Sequence, residues 1–105
     1  MVRIEAGYNL GALLVRGGKP DEAALVWWNY VVAPFVLEAT APVDTDAKQA
    51  FWLGKTLLEY AELQENRSRE AEAKKALLLI VRKKLPGEIA AKKRLEQLGV
   101  PASSW

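Results

Sequence analysis

The sequence predicts an all-α domain built from antiparallel helical hairpins, about five helices in all. Three observations carry that prediction. Ala23 to Leu37 (AALVWWNYVVAPFVL) runs fifteen positions without a charge, between Glu22 and Glu38. A helix that is apolar all round belongs among other elements, and this one falls short of the roughly 20 residues that cross a bilayer. Elsewhere, apolar residues recur at spacings of three and four, and no stretch reads as a strand. Finally, the chain weakly repeats itself. Leu10-Gly11-Ala12-Leu13-Leu14 recurs as Leu53-Gly54-Lys55-Thr56-Leu57-Leu58, each followed by a turn, then Glu22-Ala23 or Glu70-Ala71, an apolar run and a proline. Repeated helix pairs imply stacking, because each pair leaves an apolar face for its neighbour.

Taken in order, residues 3–16 place Ile4, Tyr8, Gly11, Leu14 and Val15 on one helical stripe. Gly17-Gly18 ends that helix, since glycine tolerates the left-handed conformation past a helix terminus. Pro20 then suits a first helical position, with Asp21 and Glu22 in the positively polarised first turn. So short a connection makes the first two helices antiparallel neighbours. Pro34 interrupts the second helix at its far end. Asp44 or Thr45 suits the N-cap of a third helix over 46–65, with Ala50, Leu53, Leu57, Tyr60 and Ala61 inside. Asn66-Arg67-Ser68 is the next turn, Ser68 or Asn66 capping a fourth helix with Ala73, Ala76, Leu77, Ile80 and Val81 inside. Leu85-Pro86-Gly87 breaks it. A short fifth helix, 88–98, puts Ile89, Leu95 and Leu98 on one face, and Gly99 and Pro101 stop it. Gly11 and Gly54 are expected to receive the close approach of an alanine-rich partner helix.

The composition excludes several chemistries. The 105 residues include no cysteine and no histidine, so there is no disulfide framework or thiolate metal site and no common general base. Carboxylate pairs such as Glu59/Glu62 have no nucleophile to serve, so neither an enzyme nor a cofactor is expected. Residues 1–65 carry five basic and nine acidic side chains, and residues 66–105 carry ten and four. Such a dipole steers encounters with charged partners but does not define a fold. The amino terminus lacks the apolar core of a signal peptide, and composition does not place the compartment.

The first hairpin resembles the tetratricopeptide repeat (TPR): Leu10, Gly11, Leu14, Gly18, Pro20, Ala23, Trp27 and, one position early, Pro34 follow that family's pattern. Tyr30 departs from it. The second hairpin is similar at Leu53, Gly54 and Leu57; its turn then comes about five residues late and its second helix runs to Pro86. The closing phrase LPGEIAAKKRLEQLG is similar to those of bacterial cell-envelope TPR proteins. The resemblance implies hairpins over 2–34 and 46–86, a linker over 35–45, a cap helix over 87–99 and a tail over 100–105, within one domain. A plain four- or five-helix bundle is the alternative.

The resemblance further implies a non-catalytic protein-interaction scaffold that binds along the inner face of its first helices. In register these positions are Glu5, Tyr8, Ala12, Val15 and Arg16, then Lys48, Phe51, Lys55, Leu58 and Glu59. By spacing alone, Lys48, Phe51, Lys55 and Glu59 share one helical face, an aromatic flanked by cations that suits an acidic or aromatic-bearing peptide. The chaperone-binding subtype wants lysine and asparagine where this chain has Tyr8 and Ala12. Trp27 and Trp28 point about 100° apart on a helix, so Trp28 is a candidate interface residue beside Tyr8, Arg16, Lys48, Phe51, Lys55 and Glu59. An isologous homodimer through the second helix is one way to cover its apolar surface. The basic run Lys74, Lys75, Arg82, Lys83, Lys84, Lys92, Lys93 and Arg94 keeps a nucleic-acid-binding alternative open, though no aromatic interleaves with it between Tyr60 and Trp105.

Overall fold

A computed structural model describes residues 4–34 and 47–105. Among them every regular element is helical: α1 (Ile4–Arg16), α2 (Pro20–Val26) continuing through a π-helical turn (Trp27–Val32), α3 (Ala47–Asn66), α4 (Glu70–Arg82), α5 (Glu88–Gln97) and a closing 3₁₀ turn (Ala102–Ser104). The fold is all-α, as the periodicity predicts. The 35–45 linker and the N-cap at Asp44 or Thr45 lie outside the described residues.

Neighbours in sequence are neighbours in space. α1 packs on α2, α3 on α4 and α4 on α5; the first hairpin meets the second where α1, α2 and the π turn lie against α3. The product is a slab of 35 × 33 × 19 Å. Its core holds Ile4, Tyr8, Ala23, Trp27, Val31 and Val32 from the first hairpin. Leu57, Tyr60, Ala61, Ala73, Leu77 and Ile80 continue it into the second, and Ala91 and Leu95 into α5. All five residues expected inside α4 are buried. In α5 the buried face is Ala91 and Leu95; Ile89 stands 85% exposed. A helical period of 3.6 sets Ile89 well off the line through Leu95, so placing it on that face is corrected.

The helix ends share one device. Gly18, Ser68, Lys84 and Gly99 all take a positive φ. Around each, the next amide reaches back five residues: Lys19 to Leu14, Arg69 to Gln64, Leu85 to Ile80 and Val100 to Leu95. These are Schellman turns, which satisfy the last carbonyls of a helix. Ser68 therefore closes α3 and does not cap α4, whose N-cap is Arg69 without a side-chain bond.

The matching turns set the internal repeat. Gly18 and Ser68 are equivalent, so residues of the second hairpin lie fifty positions on: Gly11 with Ala61, Ala23 with Ala73, Trp27 with Leu77. This differs from the register in which Leu10-Gly11 pairs with Leu53-Gly54. The two glycines are small for different reasons. A β-carbon at Gly11 would fall on the Trp27 indole, and one at Gly54 on the Pro86 carbonyl after α4. At Gly11 the alanine-bearing second helix approaches through its tryptophan; at Gly54 the neighbour is the chain after α4. Past Trp27 the correspondence tightens by one residue, Val31-Val32 matching Ile80-Val81, and the π turn holds the extra residue. There the Ala33 amide donates to the carbonyl of Trp28, five residues back. A proline ring crowds the carbonyl four residues before it, and the widened turn precedes Pro34.

Candidate functional site

Three faces of α1 have distinct duties. Ile4, Gly7, Tyr8 and Gly11 are buried. On the adjoining inner side, Tyr8 meets α3: its ring is 5.3 Å from that of Trp52, and the Lys55 Nζ lies 5.5 Å from its centroid. Trp27, stacked on Tyr8 at 6.1 Å, donates its indole N–H to the Tyr8 carbonyl at 3.0 Å. Burial and the neighbouring Glu59 carboxylate push the Tyr8 hydroxyl up to about 12, with Arg16 pulling weakly the other way. Glu59 Oε2 is itself buried with no hydrogen-bond partner among the described residues. Phe51 packs edge-on to Trp52 at 5.3 Å and remains 48% exposed.

Of the residues expected to form a binding face, Tyr8, Phe51, Lys55 and Glu59 thus gather along the α1–α3 seam, with Arg16 within electrostatic reach. Lys48 stands exposed in the first turn of α3. Trp28 goes elsewhere: it packs on Tyr60 at 5.3 Å, beneath the Lys75 ammonium at 5.0 Å. It joins the two hairpins. Trp52 was absent from the expected set and is the ring that links Phe51 to Tyr8; its place beside Phe51 in a helix was the available signal.

The corrected register moves the inner face of α3. Fifty positions from Glu5, Tyr8, Ala12, Val15 and Arg16 lie Lys55, Leu58, Glu62, Glu65 and Asn66. Four of these five line a groove of about 460 Å³, together with Ala61, Leu77, Ala90 and Arg94. Its floor is apolar and its rim mainly acidic. Arg94 from α5 reaches across to Glu65 as a two-pronged pair, Nε to Oε2 at 3.1 Å, and also donates to Gln97 at 2.7 Å. The Glu65 hydrogen bond holds the Arg94 guanidinium above its usual range. Gly87, at φ 97°, brings α5 in beside Leu58.

The basic run is dispersed. Lys74 pairs with Glu70 and Lys92 with Glu88, Lys75 covers Trp28, and Arg82 holds the Ser104 and Trp105 carbonyls at 3.1 and 3.3 Å. No described helix is long and apolar enough to cross a membrane, and no group of described side chains is set to hold a metal ion. Compared with protein-family models, curated proteins and solved structures, the chain finds no match.

Proposed function

We propose that the protein is a non-catalytic interaction module of the tetratricopeptide type, taking an extended peptide along the inner face formed by α1, α3 and α5. The observation that carries the reading is the equivalence of the two hairpins. Four of the five residues of α3 that repeat the inner positions of α1, Leu58, Glu62, Glu65 and Asn66, line the groove. In the register of the turns the second hairpin also follows the family pattern more closely: the large–small pair Tyr60-Ala61, the turn at Ser68, then Ala73 and Leu77. Binding energy would come from an apolar side chain over Leu58 and Ala90, the accessible apolar residues of the groove, while the polar rim sets orientation.

The charge favours a basic or amide-rich segment. Glu65 and Arg94 neutralise each other across the groove, Glu59 and Lys55 lie on the Tyr8 side of α3, and Glu62 is the exposed carboxylate on the groove rim. Of the acidic or aromatic-bearing peptide expected from the shared face of Lys48, Phe51, Lys55 and Glu59, the acidic form suits this groove less well. The test is selection from a random peptide library. Enriched sequences should carry Lys or Arg beside a large apolar residue, and Glu62→Lys or Leu58→Asp should abolish their binding while leaving the helical circular dichroism intact. Enrichment of acidic peptides, or binding that survives both substitutions, would overturn the reading.

A further inference from the structure

We propose that two copies of the chain join symmetrically through the outer edge of α1, with Ala6, Leu10, Leu13 and Gly17 of each copy packed against the same residues of the other. This surface is distinct from the inner groove and does not depend on what the groove binds.

The four residues stand at spacings of four, three and four, which place them on one helical stripe opposite the buried face of α1. All are exposed, Leu10 by 49% and Leu13 by 61%. Their equivalents in the second hairpin are Thr56, Tyr60, Leu63 and Arg67, and there the same stripe is covered. Thr56, Tyr60 and Leu63 are 0%, 4% and 9% exposed. What covers it is α2: Trp28 lies on Tyr60 at 5.3 Å, and Asp21 pairs with Arg67 at 2.5 Å. Leu25 belongs to the same open edge. It is the counterpart of Lys75, whose ammonium rests on Trp28, and it is 61% exposed. One hairpin thus shows what kind of object this edge receives, namely a helix, and on the other hairpin no described element lies there.

The order of the stripe selects the occupant. Read in either direction it is small, large, large, small, and it holds no charge. Two antiparallel copies of α1 related by a two-fold axis between Leu10 and Leu13 therefore set each leucine against the other and each Ala6 against a Gly17, where small side chains admit close approach. An isologous interface requires this self-complementarity. A head-to-tail arrangement is disfavoured, because the far end of the slab presents α5 with Lys93, Glu96 and Gln97 exposed. A helix of 13 residues is about 20 Å long, which makes this a small interface whose dimer depends on concentration.

Light scattering across a hundredfold concentration range should show the mass rising toward twice 11.6 kDa. Leu13→Glu should weaken the dimer by roughly a hundredfold or more, since it buries two unpaired carboxylates. Ile89→Glu, on the exposed side of α5, should leave it unchanged. In this cysteine-free chain, Leu10→Cys chains mixed with Leu13→Cys chains should oxidise to a covalent mixed dimer, and Ile89→Cys at the same concentration should not cross-link. A monomer throughout, a dimer indifferent to Leu13→Glu, or cross-linking of Ile89→Cys equal to that of the mixed pair would overturn the proposal.

Discussion

Gly11 and Trp27 are one decision made at two positions. The indole occupies the volume a β-carbon would need, and in the second hairpin the equivalent positions hold Ala61 and Leu77, both buried, a β-carbon gained where the ring is lost. Gly11→Ala should therefore cost about 1–3 kcal/mol through overpacking. In a Trp27→Leu background the same change should be neutral or stabilising, because alanine is the better helix former. A double-mutant cycle from urea unfolding checks the coupling; additive costs would place the strain elsewhere. Gly54→Ala admits no such rescue, since its obstacle is the Pro86 backbone. Tyr8 gives a pH signature at the same scale. Its folded pKa, about 12, lies above the ordinary value of 10.0, so the folded state holds a proton that the unfolded chain releases. Its stabilisation is complete below pH 10 and is lost as pH rises to 12, by about 2 kcal/mol. Melts of Tyr8→Phe over that window should show a correspondingly shallower decline than wild type.

The four Schellman turns act at the scale of whole elements, because they stop each helix where the next must begin. Two are built on glycine and two on residues that dislike the conformation, Ser68 at φ 60° and Lys84 at φ 53°. Ser68→Gly and Lys84→Gly should each raise stability by about 0.5–1 kcal/mol, whereas Gly18→Ala should lower it by about 1 kcal/mol. Thermal denaturation reads both signs. The helices themselves were legible in the sequence, because periodicity and breakers are local signals. The first helix ends at Arg16 as expected, and the fourth stops at Arg82, three residues before the Leu85-Pro86-Gly87 breaker. The register between the hairpins was not legible. The phrase Leu-Gly occurs in both, yet Gly54 is small for a proline carbonyl that arrives from thirty residues on, and no local pattern announces such a contact. Ser68 hid the equivalent turn because serine also suits an N-cap. With the register went half of the candidate site: spacing puts Phe51, Lys55 and Glu59 on one face, the resemblance alone sets Tyr8 with them, and Glu62, Glu65 and Arg94 needed the fold to bring α5 alongside α3.

At the scale of the molecule, stacked hairpins leave two surfaces with different characters. The inner side collects an apolar floor and a polar rim with the Glu62 carboxylate exposed. The outer edge of α1 is uncharged and self-complementary. The hairpins are held together by Trp28 on Tyr60 and by the Asp21–Arg67 ion pair at 2.5 Å; along α3, Arg67 also donates to Gln64 and Gln64 to the Tyr60 hydroxyl, both at 3.0 Å, which fixes those side chains for the seam. Burial raises the Tyr60 hydroxyl above its usual range, so this seam also favours the protonated phenol. Trp28→Ala should loosen the seam by about 3–5 kcal/mol, the usual cost of emptying a packed aromatic site, at the upper end only if the gap fails to close. Hydrogen exchange would show α1 and α2 opening before α4 and α5; uniform loss of protection would mean that the hairpins unfold as one unit.

The measurement that bears most directly on the account is a chemical-shift map of the labelled protein titrated with a short basic, apolar peptide and, separately, with an oligonucleotide. The peptide is predicted to move amides of Leu58, Glu62, Glu65, Ala90 and Arg94, saturably and with sensitivity to salt, while the oligonucleotide leaves the spectrum unchanged at low salt. Shifts confined to Lys83, Lys84 and Lys93 with the oligonucleotide, and none in the groove with the peptide, would contradict it.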